Sequence, residues 1–157
     1  MERFGVCLAF VSAILVLAGP TSAAAHVGSS AYQPRDGHFS VQLTGRDVRG
    51  GGDPDGQGSA RLNLDAQQET ACYTVTWSGL RGDVTAFHLH VADRGSEGPH
   101  WIDFFNDQRF PGSHNEASGC VPATRDKIRA VIENPSAYYL NVHSTAFEKG
   151  ALRGQLN

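Results

Sequence analysis

Two of the seven histidines stand one residue apart in Phe87-His88-Leu89-His90-Val91. In an extended chain that spacing sends both imidazoles to one face, with α-carbons about 6.5 to 7 Å apart, while Phe87, Leu89 and Val91 take the other. Rings rooted at that distance can converge on one ion, because each metal–nitrogen bond spans about 2.0–2.1 Å. A third imidazole obeys the same alternation in Tyr139-Leu140-Asn141-Val142-His143, where Tyr139, Asn141 and His143 share the face opposite Leu140 and Val142. If this segment lies beside the first, His88, His90 and His143 form a three-histidine patch suited to copper or zinc.

The same side chains also support a second reading, which takes precedence on sequence alone. Asn141, His143, Arg153 and Gln155 could form a hydrogen-bonded polar layer with His88 and His90, fixing strand register without any ligand. No carboxylate lies within the His-x-His segment to orient an imidazole, and Asp93 and Asp103 are the ones that could reach it. His38, His100 and His114 are isolated in sequence and expected in solvent, while His26, if it became an N-terminus, could offer copper an amine and a ring.

Other chemistry is poorly represented. Gly50 to Gly58 holds Asp53 and Asp55 near glycines, but a calcium loop supplies six or more oxygens and ends in a placed Glu that is missing here. Asp53-Pro54-Asp55-Gly56 reads instead as a turn between strands. Arg81-Gly82-Asp83 spells an adhesion tripeptide, yet Gly-Asp is equally what a hairpin turn requires. There is no Gly-x-Ser-x-Gly elbow, no phosphate-binding glycine loop and no spacing that marks a triad, so the chain reads as non-enzymatic.

The elements that must carry the histidines are short and alternate in polarity. Phe39, Val41 and Leu43 alternate with Ser40, Gln42 and Thr44, and Leu62 and Leu64 alternate with Arg61, Asn63 and Asp65. Tyr73, Val75 and Trp77 share one face of a further strand, with Cys72, Thr74 and Thr76 on the other. Strands are also expected over residues 84–91, 101–105, 138–144 and 151–156, separated by Gly, Pro, Asp and Ser. The fold class is therefore all-β, a Greek-key-like antiparallel sandwich or barrel. One helix is expected over 125–133, with Thr124 as N-cap, Ile128, Val131 and Ile132 at helical spacing, and Pro135 as its stop.

At the N-terminus Arg3 precedes an apolar run from Phe4 to Leu17 and the small residues Ala23, Ala24 and Ala25. That order is a charged region, an apolar region and a cleavage site, and Ser12, Gly19 and Pro20 break it before the ~18 apolar residues a membrane span needs. Residues 1–25 read as a removable signal peptide, 26–36 as a flexible arm and 37–157 as one β domain, with no membrane span after cleavage. The expected place is outside the cytoplasm: extracellular, cell-surface or periplasmic. Cys7 leaves with the signal, so Cys72 and Cys120 remain to form a disulfide, worth about 4 kcal/mol in the chain-entropy model. The net charge of −3 and the lack of a basic tract exclude nucleic acid as a partner and leave an extracellular protein or a small ligand.

From Phe39 to Leu156 the chain resembles the chordin-type, or CHRD, domain. The resemblance is carried by Phe39-Ser40-Val41-Gln42-Leu43-Thr44-Gly45, Ala86-Phe87-His88-Leu89-His90, Tyr138-Tyr139-Leu140-Asn141-Val142-His143-Ser144 and Gly150-Ala151-Leu152-Arg153-Gly154-Gln155-Leu156. It implies an all-β extracellular domain, found in animal chordin and as standalone exported bacterial proteins, acting as a binding or structural module without transferable catalytic residues. Val91-Ala92-Asp93-Arg94-Gly95 departs from the family's small, glycine-rich continuation, and the cysteine-rich modules of chordin are absent, so growth-factor antagonism is not implied. His-x-His on a strand is also similar to the copper half of Cu,Zn superoxide dismutase. The alternative function is thus a copper- or zinc-binding, redox-active protein, although that enzyme's bridging histidine and zinc loop have no counterpart in the spacing.

Overall fold

The computed structural model describes Met1 and residues 36–111 and 114–157. The expected signal peptide beyond Met1, and the arm up to residue 35, lie outside the described residues. Asp36, the arm's last residue, is already in the first strand.

Eight strands form one antiparallel sheet: β1 (Asp36–Thr44), β2 (Gln57–Asp65), β3 (Thr70–Ser78), β4 (Val84–Val91), β5 (His100–Phe105), β6 (Glu116–Pro122), β7 (Tyr138–Ser144) and β8 (Phe147–Gln155). Their lateral order is β5-β4-β7-β8-β1-β2-β3-β6. The outer strands β5 and β6 come together, so the sheet curls into a nearly closed barrel, the second of the two expected architectures. Rings tie the two ends of the sheet across its interior: Tyr73 of β3 lies 5.0 Å from Phe104 of β5, which stacks on Phe87 of β4 at 4.9 Å.

The alternation read from the sequence sorts inside from outside. Val41, Leu43, Leu62, Leu64, Val75, Trp77, Phe87, Leu89, Leu140 and Val142 all lie in the buried core. At about 25 cal/mol per Å² of apolar surface removed from water, this interior is what holds the barrel. The polar positions between them point outward, where His90, Tyr139, Arg153 and Gln155 of β4, β7 and β8 hydrogen-bond to the link from β4 to β5.

β6 has no apolar alternation to announce it. Its sequence Glu-Ala-Ser-Gly-Cys-Val-Pro buries only Ala117, and it is a strand because β3 pairs with it. Cys72 and Cys120 are directly opposed in that pairing and form the expected disulfide on the outer face, which staples the edge strand.

The helix, α1, spans Arg125–Glu133 and buries Ile128 and Val131. Thr124 occupies the N-cap position, but its side chain makes no capping bond. The Glu69 carboxylate, from the turn between β2 and β3, accepts the Arg125 amide instead, at 3.4 Å. Trp101 Nε1 donates to the Lys127 carbonyl, and Lys127 Nζ returns a bond to the Trp101 carbonyl, which clamps α1 to β5.

The link between β3 and β4 is not a hairpin as Arg81-Gly82-Asp83 suggested, because those strands are not neighbours. It is a crossover anchored on Asp53. The Asp53 carboxylate is fully buried and accepts from the Arg81 amide at 2.7 Å, the Arg81 guanidinium at 3.4 Å and the Asp55 amide at 3.3 Å. Protein donors thus occupy the carboxylate that a calcium ion would have needed. Arg81 also lies over the Phe147 ring, and Asp83 pairs with Arg109.

Candidate metal centre

The three predicted imidazoles come together on the outer face. β7 pairs with β4 so that His88 faces Asn141, His90 faces Tyr139 and Ala86 faces His143. Ring centroids of His88 and His143 are 5.0 Å apart, and those of His88 and His90 are 5.8 Å apart. One ligand atom from each of His88, His90 and His143 lies within 4.8 Å of the others. Nitrogens that share one ion stand no more than about 4.2 Å apart, so a small side-chain adjustment closes the set.

His100, expected to be isolated and in solvent, is about half exposed but not isolated, and joins them. In a regular strand His100 and Asp103 would face opposite ways, being three residues apart. β5 is irregular in two places: His88 pairs with Asp103, Leu89 with Ile102, and His90 with His100, so Trp101 is skipped. An extra residue of this kind re-aims the side chains that follow it. His100 and Asp103 therefore share the outer face and hydrogen-bond at 2.8 Å. The His100 ring is 4.0 Å from that of His88 and 4.6 Å from that of His90. Period-two reading could not find it, because the strand breaks the period there. His38 and His114 remain exposed as expected.

The hydrogen bonds of the imidazoles are incomplete in a directed way. His90 Nδ1 is 3.0 Å from the Gly98 carbonyl oxygen and His143 Nδ1 is 2.9 Å from that of Glu148. A carbonyl can only accept, so both Nδ1 atoms carry the proton and both Nε2 atoms are bare acceptors. Those two Nε2 atoms, and both ring nitrogens of His88, are buried with no partner. Backbone carbonyls that fix the tautomer through one nitrogen, and so direct the other toward an ion, are the usual surroundings of metal-bound histidine.

Burial sets the charge. Desolvation, with nearby His100 and His143 adding to it, pushes the His88 pKa down to about 3. Desolvation likewise lowers His90 to about 4, against the pull of its bond to Gly98. Burial also depresses His143. All three are neutral at physiological pH, the form in which imidazole binds a metal.

Arg153 and Gln155 do not supply the missing partners. Arg153 donates to the Ser96 carbonyl at 2.6 Å, the Asp93 carbonyl at 3.3 Å and Gln155 Oε1 at 3.2 Å. Gln155 donates to the carbonyls of Ala92, Ser136 and Tyr138. Asn141 turns its amide to the Lys149 carbonyl at 3.4 Å. The first two residues thus tie the link over residues 92–99 down on the outer face. The Tyr139 ring stacks on His90 at 4.8 Å and meets the Arg153 guanidinium at 3.5 Å, while its hydroxyl accepts the Gly98 amide. A Cβ on Gly98 would overlap the Val91 carbonyl oxygen, so only glycine lets this link approach so closely.

The donor set is imidazole nitrogen with one carboxylate nearby and no thiolate, which suits zinc or copper(II) rather than calcium or magnesium. The family model described as CHRD domain matches residues 39–156, and so takes in every strand but the first residues of β1 and every member of the centre. No curated protein and no solved structure matches the chain.

Proposed function

The chain belongs to the CHRD domain family, and we propose that it is an exported, non-enzymatic binding module that holds zinc or copper(II) through His88, His90 and His143. The observation that carries this reading is the set of buried, partnerless ring nitrogens converging from β4 and β7. A buried polar atom without a partner costs about 1–3 kcal/mol, and an ion would remove that penalty at several atoms together. Asn141, Arg153 and Gln155 act around the centre, and the last two lock the segment whose Gly98 carbonyl orients His90.

Export is supported by the leader pattern around Arg3, Phe4–Leu17 and Ala23–Ala25, and by the disulfide, which belongs to oxidising compartments. No helix among the described residues is long and apolar enough to cross a membrane.

Metal analysis of the processed protein, purified without added metal and again after dialysis against zinc or copper, tests the reading. Stoichiometric ion that is lost in a His88→Ala, His90→Ala variant retaining its far-ultraviolet dichroism supports it. No bound ion at micromolar free metal, or binding unchanged in that variant, overturns it.

A further inference from the structure

We propose that His88 is shared between two metal positions, the second completed by His100 and Asp103. This rests on the three-histidine reading and extends it.

Two overlapping groups have ligand atoms within 4.8 Å of one another: His88, His90 and His143, and separately His88, His100 and Asp103. His88 alone belongs to both. Its Nε2 faces the Asp103 carboxylate at 3.8 Å, beyond hydrogen-bonding distance, and its Nδ1 is equally buried and partnerless. A single ion binds only one ring nitrogen of an imidazole. The other would keep its proton in a buried place whose nearest acceptor, the Asp103 carboxylate, stands 3.8 Å away, beyond hydrogen-bonding distance. A second ion at Nε2 resolves this. Its metal–nitrogen bond replaces the remaining N–H bond, the proton passes to buffer, and His88 becomes an imidazolate joining the two ions.

The remaining ligands suit the second position. His100 Nδ1–H donates to Asp103 Oδ1 at 2.8 Å, which leaves its Nε2 as a bare acceptor. Asp103 has a second carboxylate oxygen to offer. Both side chains are about half exposed, at 47% and 54%, so this position opens to solvent, whereas His88 and His90 of the three-histidine position are buried and His143 is half-buried. The bulge of β5 at Trp101 serves this geometry: without it His100 and Asp103 could not lie on one face.

The test compares the processed protein with a His100→Ala, Asp103→Asn variant, both carrying His26→Ala, His38→Ala and His114→Ala to remove the other imidazoles that could take copper. Each is saturated with copper(II), passed through gel filtration, and measured for bound copper and by electron paramagnetic resonance. The expected result is one more copper per chain in the parent than in the variant. The parent's two spins should be coupled, with intensity well below the copper content and a half-field signal, and the variant should show one ordinary, fully visible spin. Equal copper in the two proteins, or an extra copper whose spin adds without coupling, overturns the shared His88 while leaving the three-histidine position standing. No copper in either protein overturns both readings.

Discussion

The Nδ1–H of His90 donates to the Gly98 carbonyl oxygen across 3.0 Å, and that bond decides which nitrogen of the ring is left for a ligand. Gly98 lies on the link between β4 and β5, so the chain that covers the outer face also sets the chemistry beneath it. Arg153 and Gln155 of β8 hold that link through the carbonyls of Ala92, Asp93 and Ser96. A bond network that satisfies itself thus surrounds imidazoles that are left unsatisfied.

Replacing His88 by leucine separates the two readings of the outer face. The His88 ring makes no hydrogen bond in the metal-free chain, so the substitution removes two buried, partnerless nitrogens. The metal-free variant should match or exceed the parent in stability, within about 1 kcal/mol, because apolar groups carry no such penalty. Urea denaturation in chelator measures this. A loss of about 2 kcal/mol or more would mean that His88 belongs to a hydrogen-bonded layer.

Acid should unfold the metal-free protein early. In the unfolded chain these imidazoles take up protons near their ordinary value of 6.5, whereas the folded chain withholds them until about 3 for His88 and about 4 for His90. Between those limits the unfolded state binds more protons, so stability is full above pH 6.5 and falls as the pH drops. The slope is about 1.4 kcal/mol per pH unit for each ring, with His143 acting in the same direction. Urea midpoints at pH 7, 6 and 5 give the slope, and a flat profile would contradict the burial of neutral rings.

Arg153→Met tests the covering segment. The substitution leaves the carbonyls of Ser96 and Asp93 without a charged donor, a loss of about 1.5–3 kcal/mol. Amide hydrogen exchange should quicken across residues 92–99, and zinc affinity should fall about tenfold as the Gly98 carbonyl loosens. Unchanged exchange in that segment would show that Arg153 does not hold it.

Removing the disulfide with Cys72→Ala and Cys120→Ala should lower stability by about 2–5 kcal/mol. The bridge is the covalent hold on β6, whose own side chains bury little, so exchange should rise first at Ser118 and Gly119. Zinc binding should persist, because β6 contributes nothing to the centre. Loss of zinc binding in a variant that still folds would contradict that separation.

The central strands were legible because each obeys strict alternation: Val41 and Leu43, Leu62 and Leu64, and Phe87 and Leu89 are buried as the pattern requires. The meeting of His88, His90 and His143 followed from the same rule, given that β7 lies beside β4. His100 was hidden because its strand departs from period two at Trp101, a departure with no residue signature of its own. β6 was hidden because pairing with β3 and a disulfide, not apolar side chains, make it a strand. The failed hairpin at Gly82 has a related cause, since a turn sequence fixes a change of direction but not which strand comes next to which.

A crystal of the metal-free protein, soaked in zinc and measured on both sides of the zinc absorption edge, tests the metal centre most directly. An anomalous peak about 2.0–2.1 Å from Nε2 of His90, Nε2 of His143 and a ring nitrogen of His88 is the predicted result. Peaks confined to exposed His38 or His114, with none between β4 and β7 at saturating zinc, would contradict it.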